Sequence, residues 1–140
     1  MSDLDDFLAA TLPRQIEAET AMHSGDPDLR LAMWSEHDPV TLLGAAVSHK
    51  VGRDEVDRTS RWVASKFADC VDYRFELIAA GVSGDLAYTV GFERCVARYD
   101  GAQPAPNVLR VTHVYRREDG EWKIVHRHGD HPPVDRSPSG

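Results

Sequence analysis

His113, Arg127, Arg94, Tyr88 and Tyr115 are the side chains of this sequence whose types could do chemistry together. An imidazole can accept and return a proton within one cycle, which makes His113 the candidate acid/base. The guanidiniums of Arg94 and Arg127 are fixed positive charges that can clamp a carboxylate or steady an enolate oxygen. Tyr88 and Tyr115 offer hydroxyls to the same oxygen. The set suits an acidic aromatic ligand, handled by proton transfer next to a carbonyl. The plainer alternative is that His113 is hydrogen-bonded within a sheet and the arginines pair with Glu93 or other carboxylates. His23, His37 and His49 are isolated and read as surface or loop residues.

A second constellation is the run His126-Arg127-His128-Gly129-Asp130-His131, with the alternating histidines of a zinc site. A ligand set needs its structural context. No His or Cys follows His131, and Pro132-Pro133 forbids a helix there. No metal and no cofactor are expected. The plain reading puts His126 and His128 on an outward face beside Arg110 and Thr112, with His131 in the tail.

The elements that must position these groups divide the chain in two. Residues 3–24 read as a helix carrying Leu8, Leu12 and Ile16 at four-residue spacing, kinked or restarted at Pro13 and stopped by Gly25. Asp26 and Pro27 open a short helix with Leu29, Met33 and Trp34. Residues 40–43 form a short strand and 44–52 a loop. A third helix spans 53–68, with Val56, Val63 and Phe67 on one face and Trp62 at its edge. The second half alternates as strands over 72–82, 86–99, 108–117 and 121–128. Asp119-Gly120 lies in the last hairpin. Residues 1–130 make one domain, and 131–140, with three prolines, an extended or disordered tail. Helices followed by strands is the α+β order.

Pairing Arg117 with Glu121 puts Leu109, Val111, His113, Tyr115, Val125 and Arg127 on one face. Arg110, Thr112, Val114, Arg116, Trp122, Ile124, His126 and His128 fall on the other. On the long strand before the hairpin, Tyr88, Val90, Phe92 and Arg94 separate from Thr89, Gly91, Glu93 and Cys95. The second face is mixed in polarity, as a surface meeting another subunit would be.

The 140 residues suit one core. With 16 basic and 23 acidic residues the net charge is -7, and no basic stripe suggests nucleic-acid binding. No apolar run approaches the roughly 18 residues of a membrane helix, and the acidic N-terminus lacks the basic start of a signal peptide. Cys70 and Cys95 read as reduced core or near-core thiols. The expectation is a cytoplasmic protein.

The run Leu109 to His128, LRVTHVYRREDGEWKIVHRH, resembles the terminal hairpin of the SnoaL-like, nuclear transport factor 2-like superfamily. Ser24-Gly25-Asp26, Met33-Trp34 and Gly52-Arg53-Asp54-Glu55 resemble its front half, so the likeness covers residues 4–130. It implies an α+β cone: three N-terminal helices on a strongly curved, mostly antiparallel sheet enclosing a cavity. It implies a homodimer through the outer sheet face. The implied lining is Trp34, Leu42, Trp62, Tyr88, Val90, Phe92, Arg94, Val111, His113, Tyr115, Val125 and Arg127. His113, Tyr88 and Arg127 would be catalytic and the others would bind substrate. The implied activity is that of a cofactor-free isomerase, dehydratase or cyclase on a small molecule, the alternative being a non-catalytic ligand-binding or dimerisation module. The catalytic base of the steroid isomerases falls on Leu42, their tyrosine near Ala18 and their acid on His113. Leucine cannot abstract a proton, so that mechanism is not implied.

Overall fold

A computed structural model describes residues 2–136. Three helices, α1 (Asp3–Met22), α2 (Asp28–Met33) and α3 (Arg53–Ala64), pack on a sheet of β1 (Thr41–Gly44), β2 (Lys50–Val51), β3 (Phe67–Ser83), β4 (Leu86–Tyr99), β5 (Ala105–Glu118) and β6 (Glu121–Asp130). The sheet order is β2-β1-β6-β5-β4-β3, and only the β1–β6 pair is parallel. This is the expected α+β architecture with a curved, mostly antiparallel sheet. No helix among the described residues is long and apolar enough to cross a membrane.

Local chemistry sets the element ends. The Ser2 hydroxyl accepts from the Asp5 amide at the start of α1, and Asp3, Asp5 and Asp6 fill a first turn where acidic side chains suit the helix dipole. The helix runs unbroken through Pro13. Its buried stripe is Phe7, Thr11, Gln15, Ala18, Glu19 and Met22, whereas Ile16 is exposed. The expected Leu8–Leu12–Ile16 face is therefore not the inward one. β3 begins at Phe67, inside the predicted third helix. Asp69 and Asp72 adopt left-handed φ of 57° and 55°, beside the register shifts by which β3 pairs with β4. Cys95 is buried and Cys70 half-buried in a cluster with Tyr73 and Ala97, both as free thiols.

The last hairpin departs from the expected register. Asp119 and Gly120 both have positive φ, at 51° and 79°, and form a two-residue turn closed by Glu118 and Glu121. Arg117 therefore pairs with Trp122 and Tyr115 with Ile124. Trp122 and Ile124, expected outside, are buried core residues with Phe7, Trp34 and Tyr115. Phe7 meets the Tyr115 and Trp122 rings edge-on, each at 5.1 Å between centroids. Burying each such side chain contributes roughly 1.5–3 kcal/mol. Past Tyr115 the register shifts, because Val114 pairs with His126 and His113 with Arg127. Val125 is the extra residue of this bulge and is only half-buried. The bulge turns Arg127 inward, so it reaches the inner face by a route the simple alternation did not contain.

β4 also faces the other way from the expected one. Thr89 pairs with His113, Gly91 with Val111 and Glu93 with Leu109. Directly opposed residues of antiparallel strands point to one side, so Thr89, Gly91, Glu93 and Cys95 are inward. Tyr88, Val90, Phe92 and Arg94 lie on the convex face.

Candidate functional site: a pocket with a charged floor

Between helices and sheet lies a pocket of about 440 Å³. Its walls are mostly small and apolar: Leu42 and residues 44–47 on one side, Thr59, Val63 and Phe67 on a second, and Ala97, Ala105, Pro106 and Leu109 on a third. Met22, His23, Arg30, Arg127 and Gly129 also line it, as do Tyr99, Gln103, Asn107 and His131. Gly129 is where a side chain would crowd the floor, since a Cβ there would stand 3.2 Å from Arg127 Nη2.

The floor rests on a buried polar network drawn from five elements. Arg127 (β6) donates from Nη1 to Glu93 Oε2 at 3.1 Å and from Nη2 to Glu93 Oε1 at 2.8 Å. Tyr73 (β3) donates to Glu93 Oε2 at 2.7 Å, and Gln15 (α1) donates to the Tyr73 hydroxyl at 3.3 Å. Burial alone would raise the Glu93 carboxyl, but the charge and hydrogen bonds of Arg127 outweigh it and hold Glu93 well below the usual carboxylate range. Burial, and then the Glu93 charge, push the Tyr73 phenol well up.

His113 (β5) belongs to this sealed layer and does not line the pocket. A guanidinium only donates, so the 3.0 Å contact from Arg127 Nη1 makes His113 Nε2 an acceptor. The proton then sits on Nδ1 and is donated to the Tyr115 hydroxyl at 3.1 Å. Both ring nitrogens are committed. Burial first and the Arg127 charge second hold the imidazole well below its ordinary pKa, in the uncharged form.

His23 and Arg30 stand differently. His23, at the C-terminal end of α1, is 4% exposed and lines the pocket. Its Nδ1 lies 2.8 Å from the Glu19 carbonyl oxygen, which can only accept, so Nδ1 carries a hydrogen. Its Nε2 makes no hydrogen bond among the described residues. Arg30 (α2) places Nε 2.9 Å from Glu19 Oε2, at an angle that forms no hydrogen bond. Its side chain is 8% exposed, lines the pocket, and has no hydrogen-bonded guanidinium nitrogen among the described residues. Burial, and then the Arg127 charge, lower its pKa. Glu19 Oε1 is likewise buried and unpartnered, 3.9 Å from Arg127 Nη2.

Glu19, His23 and Glu93 each bring a potential metal-ligand atom within 4.8 Å of the others. The set does not fit a cation. Both Glu93 oxygens are taken by Arg127, Glu19 is paired with Arg30, and an ion would face two guanidiniums.

Of the residues expected in the site, Leu42 and Arg127 line the pocket. Trp34, Val111, His113 and Tyr115 are buried behind its wall. The rest lie elsewhere. Tyr88 is 44% exposed on the convex face, and Arg94 there pairs with Glu76 at 3.4 Å and stacks over Phe92 at 5.0 Å. Val90 and Phe92 share that face, and Val125 sits at the bulge. Trp62 is 46% exposed, in a groove on the outside of α3 with Lys50 and Arg58. The histidines of the C-terminal run do not converge. His126 bonds Thr41 Oγ1 at 2.7 Å, His128 faces Asp130 at 3.2 Å and His131 bonds the Val108 carbonyl at 3.1 Å.

His23, Glu19 and Arg30 were not among the expected site residues. A signal was present: Thr11, Gln15, Glu19 and His23 recur at every fourth position, a polar stripe beside the apolar one.

The SnoaL-like domain family matches residues 17–134. No curated protein matches the chain. Among solved structures, the chain is similar to a candidate dehydratase of the nuclear transport factor 2-like family from Streptomyces avermitilis, with TM-score 0.76, 19% identity and coverage of 93% of this chain and 98% of that one. It is similar to a candidate aromatic ring hydroxylase from Novosphingobium aromaticivorans, with TM-score 0.72, 15% identity and coverage of 92% and 91%. It is also similar to a candidate calcium/calmodulin-dependent protein kinase II association domain from Xanthomonas campestris, with TM-score 0.65, 17% identity and coverage of 90% and 86%. At these identities the structures speak for the fold alone. With the family matched over most of its length and the fold shared throughout, the chain belongs to the SnoaL-like family.

Proposed function

We propose that this protein binds a small, largely apolar molecule in the pocket and moves a proton on it, in the manner of an isomerase or dehydratase. One observation carries the reading: the His23 and Arg30 side chains are buried and line the same pocket, and neither His23 Nε2 nor the Arg30 guanidinium is hydrogen-bonded to a protein group among the described residues. Arg30 holds the ligand's oxygen and stabilises negative charge that develops there. His23 Nε2 takes a proton from the neighbouring carbon and returns it elsewhere, while the Glu19 carbonyl fixes the ring through Nδ1. The acid/base role expected of His113 passes to His23, because both nitrogens of His113 are bonded to protein groups. His113 instead helps to hold Arg127.

The test is hydrogen–deuterium exchange at the α-carbon of bicyclic aromatic ketones in D2O, followed by NMR. The protein should accelerate exchange, and His23→Gln should lower it about 100-fold or more while ketone binding persists. Equal exchange rates for both proteins would remove His23 from the mechanism.

A second reading, assembly without catalysis, draws on the half-buried Val90, Phe92 and Val114 of the convex face and on the similar candidate association domain. If that face joins two copies, Phe92→Glu yields a folded monomer by sedimentation. An unchanged sedimentation coefficient would count against it.

A further inference from the structure

Cys70 and Cys95 are the two cysteines of the chain, and the fold brings them together. Cys95 is buried on the inner face of β4 with Tyr73 and Ala97, and half-buried Cys70 of β3 packs against the same cluster. Two irregularities of the β3–β4 ladder surround the pair. Asp69 and Cys70 together oppose Ala97, because Ala68 pairs with Arg98 and Val71 with Val96. Asp72 and Tyr73 together oppose Cys95, because the next pairing is Arg74 with Arg94. Each is a bulge, two residues against one, and Asp69 and Asp72 pass through left-handed backbone there. The Cys70 amide donates to the Ser24 hydroxyl at 3.2 Å, just past α1.

The two thiols are not equivalent. Cys70 is within reach of solvent, whereas Cys95 is 7% exposed. Burial raises the Cys70 thiol, and its Cys95 neighbour lowers it. Burial first and the Cys70 charge second push the Cys95 thiol up to about 12. Cys70 is thus the accessible nucleophile and Cys95 the thiol that waits behind it. Capping Cys70 removes its charge, and with it one cause that keeps Cys95 protonated.

We propose that Cys70 and Cys95 form a reversible disulfide on exposure to a low-molecular-weight disulfide, and that the bond reshapes one wall of the pocket. The Cys70 thiolate attacks one sulfur of the reagent and expels the other half as a thiolate. Cys95 then gives up its proton and attacks the Cys70 sulfur, expelling the second half. One S–S bond is made in the protein, one is broken in the reagent, and the reagent leaves as two thiols. Cys70, opposite Ala97, is a diagonal neighbour of Cys95. Diagonal neighbours stand about 7–8 Å apart, and a disulfide draws Cα atoms to within about 7 Å. Closure therefore needs a small shift, which the two bulges absorb and which keeps the bond reducible. The shift passes to Phe67 and Ala97, which belong both to the thiol cluster and to the pocket wall.

The experiment exposes the full chain to glutathione disulfide and follows it by acid-quenched mass spectrometry and peptide mapping. The native protein should pass through a single glutathione adduct on Cys70 and end with Cys70 joined to Cys95, and dithiothreitol should return both thiols. Cys95→Ser should stop at the Cys70 adduct. Cys70→Ser should react at least about 100-fold more slowly than the native protein. In amide NMR, oxidation should move the Phe67 and Ala97 resonances and reduction should restore them. If either variant fails to fold, the time course and peptide map of the native protein decide alone. A glutathione adduct that persists on the native protein, disulfides between chains, or thiols that stay free while the urea-unfolded chain reacts would overturn the proposal. An internal disulfide that leaves Phe67 and Ala97 unmoved would remove its link to the pocket.

Discussion

Two histidines of this protein lie in superficially similar surroundings, each buried and close to an arginine and a glutamate. Both nitrogens of His113 are used: Arg127 holds Nε2, Tyr115 takes the Nδ1 proton, and Glu93 occupies both arms of the guanidinium. Around His23 one ring nitrogen is anchored, and the arginine facing the pocket has no hydrogen bond. The first region is a network that ties four strands and a helix together, with both nitrogens of His113 and both oxygens of Glu93 bonded. The second has capacity left over and adjoins a space that can be filled. Residue type and burial are alike in both, so the remaining hydrogen-bonding capacity is what separates scaffold from site.

The comparison breaks most directly at Arg127. Replacing it by Leu strands the Glu93 carboxylate in the interior and should destabilise the protein by about 3–5 kcal/mol in urea unfolding. A loss under about 1 kcal/mol would mean that solvent reaches Glu93 and the network is not sealed.

Acid should find the same weakness. The folded protein keeps His113 uncharged, whereas the unfolded chain takes up a proton there below about pH 6.5. Its contribution to stability is therefore complete above that pH and is lost as pH falls toward the depressed folded value. Glu93 is also depressed and adds a further loss below about pH 4.3, when the unfolded carboxyl is protonated. Stability should decline between pH 6.5 and 5 by up to about 1.4 kcal/mol per unit. His113→Gln should flatten that segment of the profile, and a profile flat in the native protein would contradict the uncharged assignment.

The smallest effect should come from Trp62→Ala. The ring is 46% exposed in a groove outside the pocket. Stability should change by no more than about 0.5 kcal/mol, with ketone affinity unaltered in titration. A marked loss of affinity would extend the site over the rim toward α3.

The architecture was largely legible in the sequence, because helix stops such as Gly25 and the Asp119-Gly120 turn act locally. The faces were less so, for one physical reason. On β4 the apolar half, Tyr88, Val90 and Phe92, looks outward, and the polar or small half, Thr89, Gly91 and Glu93, looks in. On α1, Ile16 is exposed while Gln15 and Glu19 are buried. Hydrophobic periodicity assumes an apolar interior, and it inverts where the interior is a charged network. The hairpin misled for another reason: a two-residue turn and a bulge at Val125 each shift alternation by one residue, so their effects on Arg127 cancel while those on Trp122 and Ile124 do not.

The central claim, that His23 is open to ligand and His113 is not, is tested most directly by long-range proton–nitrogen NMR of the two imidazole rings during titration with 2-acetonaphthone. The Nε2 resonance of His23 should move to saturation while both nitrogens of His113 stay in place. Movement at His113 with His23 unchanged, or a bound ketone that perturbs neither ring, would contradict the account.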